Sequence, residues 1–363
     1  MFLPLHEFHQ NLGANFTTVN EAEAVADYGD PLSEYAALRK TAGLIDFSFR
    51  SRLCLTGADR VRFLHGQVTN DVKKLRQDEG CYSAITTAKG KMQSDLNIFR
   101  LPDELLLDFE PGLAALVTQR LEKYIVADDV QVVDVTPHYG LLSVQGPQAD
   151  AAVRATGLFG EIPAQPLNFS KIPHATLGEI YLMNQARLGS IGFDLFVPLA
   201  ALGAVADKLI AAVKSVGGRA VGWKAFEIAR IEAGVPRFGV DMDDTNIPIE
   251  CGIESRAISY QKGCYIGQEV LNRIHSLGHV NRELRGLRLA ADRKTLPERG
   301  DKLFHNNKEV GHITSAIISP TLHGGIALGY VRREVNAVGT LLLLRSGNHE
   351  SGVKIVALPL APE

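Results

Sequence analysis

The chain has 363 residues, 45% of them hydrophobic and 22% charged, with a formal net charge of −3 and a pI near 6.4. Length and composition fit about two or three domains of an ordinary globular protein with a sizeable core. The charge balance offers no footprint for nucleic acid or an anionic membrane surface, and no apolar run reaches the roughly eighteen residues of a membrane span.

Four cysteines, Cys54, Cys81, Cys251 and Cys264, stand apart in the chain. None forms a CxxC pair, and no His/Cys cluster has zinc spacing, so no metal centre is expected. The opening MFLPLHEFHQ lacks a basic n-region and has too short an apolar run for a secretory signal. Sparse cysteines without a signal point to a reducing, cytoplasmic setting.

Leu53 to Thr56 reads as a strand closed by Gly57, and ADRVRFLHG follows as a helix with Val61 and Leu64 on one face. CYSAITT, Cys81 to Thr87, reads as a strand, and Ala88 to Lys91 as a turn in which Gly90 takes positive φ. MQSDLNIFR alternates: Met92, Leu96 and Ile98 face one way, Gln93, Asp95 and Asn97 the other. ELLLDFE is another strand. The clearest helix is Gly112 to Val126, where Leu113, Leu116, Val117, Leu121, Tyr124 and Ile125 fall at three- and four-residue steps. VQVVDV closes the unit. Strand, helix, three strands, helix, strand is a ferredoxin-like split βαβ unit with an added strand.

A second unit starts at LLSVQGPQADAAVRATG, which echoes LCLTGADRVRFLHG: an apolar strand, a glycine, a small residue or proline, then a helix. Strands at GEIYLMN and FDLFVP precede a helix from about Leu199 to Val216. VGWKAFEIARIEAG is a further helix, ended by Gly234 and Pro236. After about Arg282 the pattern changes to short strands with turn signals, and Asn306 and Asn307 suit a hairpin turn. The fold class expected is α+β: two related ferredoxin-like α+β halves followed by a small C-terminal β-barrel. The expected domains are 1–50 with 137–281, then 51–136, then 282–363.

KGCYIGQEV, Lys262 to Val270, places a cysteine in a short polar loop between two glycines. A nearby cation favours thiolate, and Lys262 or Arg273 would supply one. Gly263 and Gly267 would let the backbone hold the sulfur outward; the other reading of Cys264 is a small buried hydrophobe. Asp95 sits mid-strand, where aspartate is disfavoured. It would receive a proton or accept hydrogen bonds from a nitrogen-rich ligand; alternatively it pairs with Lys89 or Lys91. Asp194, directly before an apolar run, would bind an amidine-like edge through two parallel hydrogen bonds, or cap a turn. VDMDDTNIPIECGI holds Asp241, Asp243, Asp244 and Glu250 without the glycine and glutamate placement of a calcium loop, so a hydrogen-bonded loop is expected.

KGCYIGQE closely resembles the signature of the YgfZ folate-binding family, which is related to the T-protein, the aminomethyltransferase of the glycine cleavage system. LTGADRVRFLHGQVTNDV and GKMQSDL resemble the first half of both families, RIEAGVPRFGVDMDDTNIPIE their middle, and VGHITSAIISPT with IALGYV their barrel. The cysteine motif is similar to YgfZ proteins and not to T-proteins. The resemblance implies a protein that holds tetrahydrofolate. It puts Asp95 where T-proteins carry the aspartate facing the reactive folate nitrogens. It puts Asp194 at a pterin-binding glutamate and Tyr82 at a tyrosine of the same cavity. Phe226 falls where T-proteins carry an arginine, and an aromatic ring there would stack on folate. The loop before Phe193 is also shorter than in T-proteins.

By this resemblance the expected function is that of a tetrahydrofolate-binding protein assisting iron–sulfur protein assembly or repair. Its partners would be iron–sulfur clients or assembly proteins, with no nucleic acid and no membrane. Cys264 would be the functional thiol, with Lys262 favouring its ionised form and Gly263, Tyr265, Gly267, Gln268 and Glu269 shaping the loop. One alternative is an aminomethyltransferase that moves a one-carbon unit to tetrahydrofolate, with Asp95 steering proton transfer. Another is a non-catalytic scaffold that folate only stabilises.

Overall fold

In the computed structural model, which describes residues 2–291, 295–347 and 349–360, Ser51–Thr56 is a strand with two different faces. Leu53 and Leu55 enter one apolar core and Cys54 another, as the alternation of a strand requires. The strand belongs to a five-stranded sheet in the order Gly80–Thr86, Met92–Arg100, Leu105–Phe109, Ser51–Thr56, Gln131–Asp134. Helices Arg60–Gln67 and Ala114–Glu122 cover its Leu53 face through Phe63, Leu64, Val117 and Leu121. Without the edge strand Gly80–Thr86 the order is ferredoxin-like, so the added strand lies at the edge. The helix expected over 112–126 is shorter, and Leu116 and Tyr124 are exposed. The sequence carries more apolar positions here than the strip of sheet beneath can cover.

The second sheet has six strands, in the order Phe169–His174, Gly178–Asn184, Gly192–Pro198, Tyr139–Gln145, Gly43–Asp46, Arg219–Ala220. Helices Ala149–Ala155 and Leu199–Ser215 pack on one face through Ala152, Val153, Leu202, Val205 and Leu209. The order repeats that of the first sheet, with Gly43–Asp46 inserted before the last strand. In each sheet the repeat's first strand ends at a glycine with positive φ, Gly57 at 96° and Gly146 at 124°. The echo between the two sequence segments therefore reports a repeated topology.

The remaining faces of the two sheets share one core. Cys54, Phe99 and Leu106 come from the first, Leu141, Tyr181 and Phe196 from the second. This shared core places both sheets in a single compact unit, made of residues up to Ile85 with Ser94–Ala229. The same unit holds an N-terminal hairpin, Asn15–Val19 with Ala22–Asp27, and helix Pro31–Lys40, capped by the Asp30 side chain.

The second compact unit is Thr86–Gln93 with the residues from Arg230 onward. Its six strands close into a barrel in the order Arg282–Leu289, Gly324–Arg332, Lys308–Ser319, Lys302–His305, Leu341–Ser346, His349–Val356. Leu287, Ile313, Ala327, Leu344 and Ile355 fill its interior, and closure removes the open sheet edges. Asn306 and Asn307 turn the hairpin with φ of 49° and 62°, the positive pair that a two-residue primed turn requires.

The barrel's first strand begins at Arg282, and the compact unit around it also takes in Thr86–Gln93 and the residues from Arg230 onward. Buried polar contacts tie the intervening segment to the barrel. Arg230 donates to Asp241 at 2.5 Å, and Thr314 and Ser315 hydroxyls each donate to Asp241 at 2.6 Å. Ser319 donates to Glu232, and Tyr330 donates to the Cys251 sulfur at 3.1 Å. None of the four cysteines is in a disulfide. Among the described residues no helix is long and apolar enough to cross a membrane.

Candidate functional site

Strand Met92–Arg100 buries Met92, Ser94, Leu96 and Ile98 on one face and leaves Asp95 partly open on the other. Tyr82, from the adjacent edge strand, donates its hydroxyl to Asp95 Oδ2 at 2.7 Å. Asp95 Oδ1 is out of water and has no hydrogen-bond partner. Burial, then the charge of Glu110, push the Asp95 carboxyl up to about 6, against the pull of the Tyr82 hydrogen bond and Arg50. The pairing of Asp95 with Lys89 or Lys91 is thereby replaced by a pairing with Tyr82, and the Lys91 ammonium donates to the Thr245 carbonyl.

The same face carries a chain of buried ion pairs. Asp108 accepts from Arg50 Nε at 2.8 Å, Arg187 Nη2 at 2.9 Å and Asn97 at 3.2 Å. Arg50 also donates to Glu110 at 2.9 Å. Burial raises the Asp108 carboxyl, but the two guanidiniums win and hold it below the usual carboxylate range. Arg187 reaches on to Asp194, through Nε at 2.9 Å and Nη2 at 2.6 Å, both to Oδ2. Asp194 is 1% exposed and lies within strand Gly192–Pro198 opposite Ser143, so it caps no turn. The amidine-like edge it meets in this structure is the guanidinium of Arg187. Burial raises the Asp194 carboxyl, and Arg187 opposes the rise.

Arg50, Asp108, Glu110 and Arg187 are absent from the sequence-level expectations. Asp108 carried a readable signal, an acid inside the apolar run LLLDF, of the same kind as Asp95. Carboxylates and guanidiniums alternate along this face, and Asp95 Oδ1 is a buried acceptor without a partner. Such a place suits a cationic or donor-rich ligand edge.

Phe226 is 7% exposed and packs in the core. Its ring lies 5.0 Å from Phe47, edge to face, and 5.2 Å from Trp223. Arg187 lies over Phe47 at 5.1 Å, so Phe226 backs the ring beneath that arginine. A separate hollow of about 250 Å³ in this unit, lined by Cys54, Leu106, Tyr139, Tyr181 and Phe196, includes none of the expected site residues.

Cys264 is exposed, which removes its buried reading. Lys262 is 7% exposed, and its ammonium lies over the Tyr265 ring at 4.8 Å. Tyr265 is buried, its hydroxyl has no partner, and burial pushes that hydroxyl up to about 12. Gly263 is an exposed neighbour of the cysteine. Gln268 and Glu269 are not loop residues. They open helix Gln268–Leu277, with Gly267 as its N-cap at φ 94°. A Cβ on Gly267 would sit 2.5 Å from Thr86 Oγ1 and 2.7 Å from the Thr87 carbonyl. Thr86 in turn donates to the Ile266 carbonyl at 2.7 Å, which pins the motif to the Thr86–Gln93 turn. In the acidic loop, Asp243 accepts from Thr245, and Glu250 accepts from the Ile247 amide and Arg282.

Residues 5–262 match the GCVT N-terminal domain, and residues 282–361 match the glycine cleavage T-protein C-terminal barrel domain. The chain is 30% identical over 380 residues to an aminomethyltransferase of Ralstonia pickettii, covering 98% of this chain and 96% of that protein. It is 27% identical over 361 residues to an aminomethyltransferase of Shouchella clausii, covering 98% and 96%. The crystal structure of glycine cleavage system aminomethyltransferase T from Bartonella henselae superposes with a TM-score of 0.88 at 26% identity, covering 99% of this chain and 98% of that one. Two related α+β sheets, a closed barrel and these matches over both parts place the chain in the glycine cleavage T-protein (GCVT) family.

Proposed function

We propose that this protein binds tetrahydrofolate and transfers a one-carbon unit to it in the manner of an aminomethyltransferase. The observation that carries this reading is the Asp95 carboxylate, one oxygen held by Tyr82 and the other buried without a partner. A carboxyl that titrates at about 6 accepts a hydrogen bond from a folate nitrogen and steers its proton when ionised. Asp194 adds a further acceptor for the donor-rich pterin edge, its Oδ1. The relatives' names support the same chemistry: the aminomethyl group of a carrier protein passes its carbon to tetrahydrofolate, and ammonia leaves. Titration with tetrahydrofolate, followed by turnover with aminomethylated carrier protein, tests it. Absence of tetrahydrofolate binding refutes the reading.

A second reading is supported by one further observation, the exposure of Cys264 in KGCYIGQE. Here the protein binds tetrahydrofolate as a YgfZ-type factor and serves iron–sulfur clients or assembly proteins through that thiol. Binding without turnover, together with a marked loss of iron–sulfur enzyme activity in cells carrying Cys264→Ser, favours it. Unchanged activity in those cells removes it.

A further inference from the structure

We infer that Arg187 is the positioning residue of the ligand site: it fixes the orientation of the Asp194 carboxylate, and Asp108 holds Arg187. The inference rests on the tetrahydrofolate reading and assigns a role to a residue outside the expected site. Asp194 has almost no exposure and lies in the middle of a strand, so water cannot stabilise its charge. Arg187, Asp108 and Ser143 act on its carboxylate. Arg187 comes from the loop before its strand, Asp108 from the other sheet, and Ser143 from the neighbouring strand. Arg187 is the cation that acts on it most strongly. Both of its contacts with Asp194 fall on Oδ2, which keeps the carboxylate in one orientation and leaves Oδ1 outside that pair.

Arg187 is itself fixed at both ends. Its backbone amide donates to Gln145 Oε1 at 3.0 Å, and the Gln145 amide donates to Ser143 Oγ and the Gln185 carbonyl, each at 2.9 Å. Its guanidinium is held by Asp108 at 2.9 Å. Gly192 passes so close to Gln145 that an added Cβ would sit 2.1 Å from Oε1, so this bracket leaves no slack. The Asp194 carboxylate is therefore held in one orientation before a ligand edge arrives.

The test is tetrahydrofolate affinity measured from pH 6 to 9 on the full chain and on Arg187→Met, Arg187→Lys, Asp194→Asn and the double variant Arg187→Met/Asp194→Asn. Burial raises the Asp194 carboxyl and Arg187 opposes the rise, so removing the cation raises it further and favours its protonated form. Arg187→Met is then expected to bind about 10- to 100-fold more weakly at pH 7 and to recover several-fold by pH 9. Arg187→Lys keeps a cation and stays within about tenfold of the wild type, with the wild-type pH profile. Asp95 titrates in every variant, so the double variant supplies the baseline: weak binding without the recovery at high pH. A loss in Arg187→Met that is equal at every pH, or an Arg187→Lys protein as weak as Arg187→Met, overturns the inference and leaves the folate reading standing. A wild type that binds no tetrahydrofolate overturns both. If Arg187→Met does not fold, as judged by circular dichroism, the Arg187→Lys comparison decides alone.

Discussion

Tyr82 and Asp95, on neighbouring strands, are joined by a 2.7 Å hydrogen bond that occupies one carboxylate oxygen and leaves the other bare. Asp95→Asn keeps an acceptor for Tyr82 but removes the charge. The rate of one-carbon transfer is expected to fall about 10²- to 10⁴-fold, the range of a lost acid–base group, with near-native circular dichroism. Turnover within threefold of wild type, about 0.7 kcal/mol, would contradict this role.

The same substitution tests stability in the opposite direction. The folded carboxyl titrates at about 6, above its ordinary 3.8, so ionisation opposes folding. That cost is absent below about pH 4 and grows as pH rises through 6. Urea unfolding at pH 8 should show Asp95→Asn more stable than wild type by about 1–3 kcal/mol, with the gap closing at pH 4. A gap of the same size at both pH values would rule out this origin.

Tyr82→Phe removes a hydrogen bond that favours the ionised acid. Asp95 then titrates higher, and the acidic limb of the pH–rate profile moves up by about half to one pH unit. An unmoved limb would mean that another group controls it.

In the second unit, Arg230 and Asp241 form a nearly unexposed pair with Thr314 and Ser315 completing the acid's bonds. Removing either partner leaves an uncompensated buried charge. Arg230→Met or Asp241→Ala should each cost about 3–5 kcal/mol, and the double variant less than the sum of the two. Chemical denaturation of the full chain gives both numbers.

Gly267→Ala should destabilise by about 1–3 kcal/mol, because the new methyl meets Thr86 and Thr87 and φ is in the left-handed region. Hydrogen exchange at the start of helix Gln268–Leu277 should accelerate. Unchanged protection there would show that the turn relaxes freely.

Asp95 was legible because a charged residue interrupts a period-two strand, and the barrel because asparagine pairs and short β-branched runs mark local hairpins. Arg187 was not. Its loop has no period, and its partner Asp108 lies 79 residues away in the chain, so only tertiary structure brings them together. Gln268 and Glu269 read as loop because Gly267, a turn former, stands directly before them. The amphipathic helix that starts there shows its pattern only after Val270. The strand Gly43–Asp46 is too short to register by pattern, and both its sheet partners follow much later in the sequence.

That inserted strand also bears on how the chain is made. Gly43–Asp46 leaves the ribosome before any residue of the five-stranded sheet, yet its neighbours, Tyr139–Gln145 and Arg219–Ala220, emerge only after that sheet is complete. During vectorial synthesis the smaller sheet closes first, while an apolar segment upstream of it waits with its amide and carbonyl groups unmatched. Nascent chains halted near residue 137 would be the ones most in need of a chaperone.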